Sequence, residues 1–199
     1  MAPARSYFRA MLLRENEVGR RVAPHLRTGD RLLDLGAGTG RMSRWLAREA
    51  GVRPTLADMV EYSNRRRDLP FIRMDDPYHV EAEDHSFDVV LLLFALHHNP
   101  FEAQGKVLAE AVRLADRRVV VMEDTPTNRV DRAFNVLWDK VLNLRHGVPT
   151  PFAFRDADEW VGLFEEHGLQ VRHVETYRPK WPTLGTYHHS LFVLDREQV

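Results

Sequence analysis

The stretch "LLDLGAGTGRMS", residues Leu32 to Ser43, decides how this chain is read. An apolar segment carrying one acid runs into glycines at alternate positions, Gly36, Gly38 and Gly40. A helical pattern then begins at Arg41. A glycine-rich turn between a strand and a helix lets a ligand approach the backbone and the helix N-terminus closely. A GxGxG alone is weak, because a tight structural turn also needs glycines. Its surroundings add to it. Asp58 closes the next strand-like segment, 22 residues after Gly36, where a carboxylate accepts hydrogen bonds from both hydroxyls of a ribose.

Asp34 separates the nucleoside ligands. A carboxylate two residues ahead of the loop repels the pyrophosphate of a dinucleotide. It favours S-adenosylmethionine, which carries an ammonium and a sulfonium and no phosphate. A P-loop is excluded separately, since no Lys-Ser or Lys-Thr follows the glycines. The plainer alternatives are that Asp34 caps the turn and that Asp58 is a helix N-cap.

Outward from the loop, strand-like and helical segments alternate. Helical spacing runs from Ser6 to about Leu26, ahead of a first strand at Arg31–Leu35. A helix at Arg41–Ala50, a strand at Pro54–Asp58 and a short polar helix around Val60–Arg67 come next. Strands at Phe71–Met74 and Phe87–Phe94 follow, the second apolar enough to be buried on both faces. Phe101–Leu114 reads as a helix and Arg118–Met122 as a fifth strand. This alternation implies right-handed crossovers and a parallel sheet covered by helices on both sides. Beyond Thr125, helices are expected at Asn128–Leu144 and Asp156–His167, and strands at Leu169–Tyr177 and Tyr187–Leu194. The connection "RPKWPTLGT" between the last two suits an antiparallel return.

The 199 residues suit one domain over residues 1–199, with residues 1–27 as an N-terminal helix. The longest uncharged apolar run, Val89–Leu96, is too short to span a membrane. Cysteine is absent, so disulfides, thiolate metal sites and a cysteine nucleophile are excluded. No metal is expected, and a cytoplasmic location is. Net charge is −1, with no strongly basic face of the kind that binds duplex nucleic acid. The expected partner is a small molecule, with neither nucleic acid nor membrane; monomer and homodimer both stay open.

"LLDLGAGTG" resembles the first motif of class I S-adenosylmethionine-dependent methyltransferases. "TLADM" resembles the second, which implies Asp58 on the ribose hydroxyls and Met59 against the adenine. "FIRMDD" resembles the third, which implies an acid, Asp76 before Asp75, on the adenine amino group. "SFDVVLLLFALHHNP" is similar to the fourth motif of the small-molecule branch that includes quinone-biosynthesis methylases. There the segment after the strand, here Phe94 and Ala95, follows the methionine part of the cofactor. "VLAEAVRL" and "FRDADEWVGLFEEHGLQV" resemble later elements, so the likeness covers residues 28–194. One departure is "ADRR", Ala115–Arg118, where the family has a Pro-Gly-Gly turn. The resemblance implies a Rossmann-like, mostly parallel sheet of seven strands, the last antiparallel and inserted beside the fifth.

It also implies a methyltransferase that takes S-adenosylmethionine as cofactor and leaves S-adenosylhomocysteine. The cofactor set is Asp34, Gly36, Ala37, Gly38, Gly40, Asp58, Met59, Asp75, Asp76, Phe94 and Ala95. On the acceptor side stand His97 and His98, at the carboxyl end of a central strand. Adjacent strand residues point opposite ways, so one of the two is expected to face the ligand. His98 is chosen, as a base or as a positioning residue. Residues 125–154 are expected to form a lid, with Trp138, Phe134 and Phe152 toward an apolar acceptor or in the core. The acceptor atom, O, N or C, is open. A catalytically inactive S-adenosylmethionine-binding partner subunit and a protein or nucleic-acid methyltransferase are the alternatives.

Overall fold

A computed structural model describes residues 15–133, 136, 153–179 and 188–196. Seven strands form its sheet: β1 (Arg31–Leu35), β2 (Arg53–Asp58), β3 (Phe71–Arg73), β4 (Phe87–Leu93), β5 (Ala115–Asp124), β6 (Leu169–Tyr177) and β7 (His189–Arg196). Their order is β3-β2-β1-β4-β5-β7-β6. The first five run parallel, and β7 lies antiparallel between β5 and β6. The seven-stranded Rossmann-like sheet expected from the sequence is therefore present.

Helices cover both faces. Residues 15–22 form α1, followed by α2 (Arg41–Glu49), α3 (Phe101–Leu114), the turn of helix at 129–133 (α4) and α5 (Ala157–Glu166). Strand alternation decides which side chain goes where. Leu33, Val90, Leu92 and Val121 pack with α3 and α5. Leu32, Val89, Leu91 and Val120 pack with Val18 and Val22 of α1 and Leu46 of α2. Val89 to Leu92 have no exposure at all, as an apolar central strand requires. Burying each such aliphatic side chain contributes about 1.5–3 kcal/mol.

Three segments differ from expectation. Residues 60–67 are turns, not a helix. The Arg65 N–H closes a turn on the Tyr62 carbonyl at 3.0 Å, and the Arg66 N–H donates to the Thr39 carbonyl at 2.9 Å, so this backbone clasps the glycine loop. The first helix gives way to a 3-10 turn at Ala23–His25, where Pro24 supplies no N–H; its part before residue 15 lies outside the described residues. β5 starts at Ala115, directly after α3, with a register slip opposite Phe87/Val89. The charges in "ADRR" hide this strand in the sequence. Arg117 and Arg118 are taken up by Asp30 and Asp195 at 2.7 and 2.8 Å.

Candidate functional site

The glycine loop leaves β1 at the carboxyl edge of the sheet, where open parallel sheets hold ligands. Its three glycines differ in what they do. Gly36 (φ +79°) lies so near the next crossover that a Cβ there would stand 2.9 Å from the Ala95 Cβ. Gly40 (φ +72°) leaves no room beside Leu56. Gly38 (φ +54°) faces open space, with no atom within 4 Å of a Cβ position.

Two carboxylates stand below the loop. Asp34 is buried, and its Oδ2 accepts from Ser43 Oγ of α2 at 2.5 Å. Burial, opposed by that bond, and the nearby Asp58 charge push its pKa up to about 6. Asp58 accepts from the Gly38 N–H at 2.8 Å and the Val60 N–H at 2.9 Å, fastening the loop to the end of β2. Each of its oxygens keeps a lone pair for a ligand hydroxyl. Met59 and Val60 are exposed beside it. An open Gly38, flanked by acids and an exposed apolar pair, fits a cationic nucleoside and not a pyrophosphate. Asp75 and Asp76 are both exposed at the turn after β3. The Asp76 carboxylate already accepts from the Tyr78 N–H at 2.8 Å.

Beyond β4 the chain turns sharply. Phe94 has φ +57°, a conformation that costs a bulky residue about 1–3 kcal/mol unless its surroundings impose it. They do so here. The Phe94 N–H donates to the Met122 carbonyl at 2.7 Å. Glu123 of β5, fully buried, accepts from the Ala95 and Leu96 N–H groups at 2.9 and 2.7 Å through Oε1. Its Oε2 lies 2.5 Å from His97 Nδ1. The turn at Leu96–His98 is a 3-10 helix, so the strand argument for opposite-facing histidines does not apply. The two rings lie 4.2 Å apart. His97 is buried and stacks on Phe154 at 5.0 Å. His98 is half-buried, and its Nδ1 makes no hydrogen bond among the described residues. Burial first, and His97 second, push its pKa down to about 4 against the pull of Asp124.

Sequence reasoning missed three residues here. Glu123 is one. The others are Asp124 and His189, cross-strand neighbours on β5 and β7 whose Oδ1 and Nδ1 lie 2.5 Å apart. The His189 ring meets Phe94 edge-on at 4.9 Å. "MEDTP" and "HHS" carry no local signal for this pairing, which exists only once β7 lies on β5. Behind the turn, buried Gln104 of α3 donates to the Ala153 carbonyl at 2.8 Å and accepts from Arg155 Nε at 2.7 Å, holding Phe154 against His97. Trp138, Phe134, Phe152 and most of the expected lid lie outside the described residues. Among the described residues no three metal-ligating side chains group together.

The methyltransferase-domain family matches residues 7–174. No curated protein matches the chain. Among solved structures, it is similar to the 1,6-didemethyltoxoflavin-N1-methyltransferase of Burkholderia thailandensis, solved with 1,6-didemethyltoxoflavin and S-adenosylhomocysteine bound. Identity there is 16%, TM-score 0.71, with 92% of this chain and 78% of that one covered. A Haloferax volcanii protein in complex with the Trm112 methyltransferase activator gives 17% identity and TM-score 0.69 over 96% of each chain. Synechocystis magnesium protoporphyrin IX methyltransferase, with S-adenosylhomocysteine bound, gives 19% and 0.64 over 94% and 84%. Motif order, sheet topology and family match agree: the chain belongs to the methyltransferase-domain family and is a class I S-adenosylmethionine-dependent methyltransferase.

Proposed function

We propose that this enzyme methylates a small-molecule acceptor seated at the carboxyl ends of β4 and β5. One observation carries the proposal. The His97–His98 turn, the Asp124–His189 pair and the Phe94 ring converge there, and Ala95 of the same turn abuts the glycine loop. A few polar groups set among aromatic walls suit a small ligand. The charge pattern supports this too. Net charge is −1, and Arg31, Arg113 and Arg118 are each paired with a carboxylate, which does not favour a polyanion. The small molecule held by the Burkholderia relative supports the same acceptor class.

In this reading Asp58 receives the ribose hydroxyls and Met59 lies against the adenine. Asp75 or Asp76 takes the adenine amino group. Gly36, Ala37, Gly38 and Gly40 let the backbone approach, Phe94 and Ala95 flank the methionine part, and Asp34 supplies negative charge from beneath. S-adenosylmethionine supplies a methyl already activated by its sulfonium. The chain's share is to orient the acceptor and keep water out. His98 stays neutral at physiological pH and offers a ring nitrogen to the acceptor. A group titrating near 4 is a poor proton acceptor at neutral pH, so its task is orientation.

The test is a screen for S-adenosylhomocysteine release across hydroxyl, phenol, amine and carbon-acid acceptors, followed by mass detection of the product. Release with one low-mass class, and a product heavier by one methylene, is the expected result. Release only with protein or nucleic-acid fractions overturns the acceptor class.

A further inference from the structure

Glu123 lies within β5, away from the glycine loop and fully buried. Three of its contacts go to one short stretch: the Ala95 and Leu96 N–H groups and the His97 ring. That stretch follows the strained Phe94, whose conformation is held by its own bond to the Met122 carbonyl and by these bonds to what comes after it. Ala95 in turn closes on the other side against Gly36, where no Cβ fits. A continuous line of contact thus runs from the Glu123 carboxylate through Ala95 to the loop that faces the cofactor.

We infer that Glu123 is a positioning residue that sets the width of the slot between the glycine loop and the Phe94–His98 turn. It acts by length and hydrogen-bond geometry, not by charge. Shortening it by one methylene pulls the carboxylate off the Ala95 and Leu96 amides, and the turn is free to shift toward or away from Gly36. Replacing it by glutamine keeps the reach. The amide oxygen still accepts both N–H groups, and the amide nitrogen donates to His97 Nδ1, which must then carry its proton on Nε2.

This rests on the cofactor assignment, and the experiment separates the two. Calorimetry with S-adenosylhomocysteine is run on wild-type protein, Glu123→Gln and Glu123→Asp, with thermal melts and amide spectra of the same samples. Wild-type protein that does not bind overturns the cofactor assignment itself. Given binding, Glu123→Gln is expected to stay within about threefold of wild type, and Glu123→Asp to weaken about tenfold or more. In Glu123→Asp the Gly36 and Ala95 amides are expected to move together. In Glu123→Gln the ring-nitrogen spectrum of His97 is expected to report the Nε2–H tautomer. The opposite order, aspartate tight and glutamine weak, means the charge matters and overturns the inference. So does equal affinity in all three proteins, even if melting temperatures fall, because that is the result of a purely structural role. Should Glu123→Asp fail to fold, Ala95→Gly is read in its place. Loss of the methyl that abuts Gly36 is expected to weaken binding without touching Glu123, and unchanged affinity overturns the line of contact.

Discussion

Asp34 is the residue whose chemistry is most open to measurement. Its carboxyl is half-protonated near pH 6 in the free protein. A cationic ligand prefers the ionised form, so binding draws a proton off as pH approaches 6 from above. Affinity for S-adenosylmethionine should therefore be level at neutral pH and fall below 6, by at most about tenfold per pH unit. Asp34→Asn should flatten that dependence. Calorimetry at pH 5 and 7.5 reads it, and identical wild-type affinities would remove Asp34 from the electrostatics of the site. Asp58 is proposed to act by contact. Asp58→Ala should weaken S-adenosylhomocysteine binding by about 1.5–3 kcal/mol, the scale of hydrogen bonds to a charged group. His98 titrates in the other direction from Asp34: its pKa is depressed, so it takes up a proton only near 4. Ring-nitrogen spectra should show it neutral throughout pH 5.5–8, and a midpoint near 6.5 would mean its surroundings are wetter than this structure allows.

The glycine loop shows how an element can be legible as a motif while its parts remain unlike. Gly40→Ala meets both a positive φ and Leu56, so it should destabilise the fold by about 1–3 kcal/mol. Gly38→Ala meets only the positive φ, and its methyl enters the open side. It should melt within a few degrees of wild type yet bind S-adenosylhomocysteine poorly; tight binding there would put the cofactor elsewhere. α3 and α5 were legible for local reasons. Pro100 stands at the start of α3 without a side-chain cap, and Asp156 with Glu159 forms a reciprocal capping box on α5. Asp156→Ala should lose about 1 kcal/mol, roughly 2–4 °C by calorimetry, with cofactor affinity unchanged. Residues 60–67 were misread for the converse reason: a local turn bond and a bond to Thr39 shape them, not helical spacing. The histidine turn was misread because one dihedral, at Phe94, ends β4 at Leu93, with three residues between the strand and His97.

Across the whole molecule, the sheet was readable because its strands carry apolar signatures and helices follow β1 and β4, although turns, not a helix, join β2 to β3. The acids and glycines proposed for the cofactor sit at fixed distances along the chain, so they show in the sequence. The groups proposed around the acceptor do not. Glu123 finds its partners in the turn after β4, and Asp124 and His189 meet only when β7 enters between β5 and β6. That placement bears on truncation. In a released chain that stops before residue 189, β6 has no neighbour in register, and β5 presents a bare edge of buried valines. Neither can close without residues 189–196. A released chain ending at residue 186 should accordingly be cut by protease within β5 and β6, whereas one extended through residue 196 should resist. Protection of β6 in the shorter chain would mean that some other segment shields the sheet edge in place of β7.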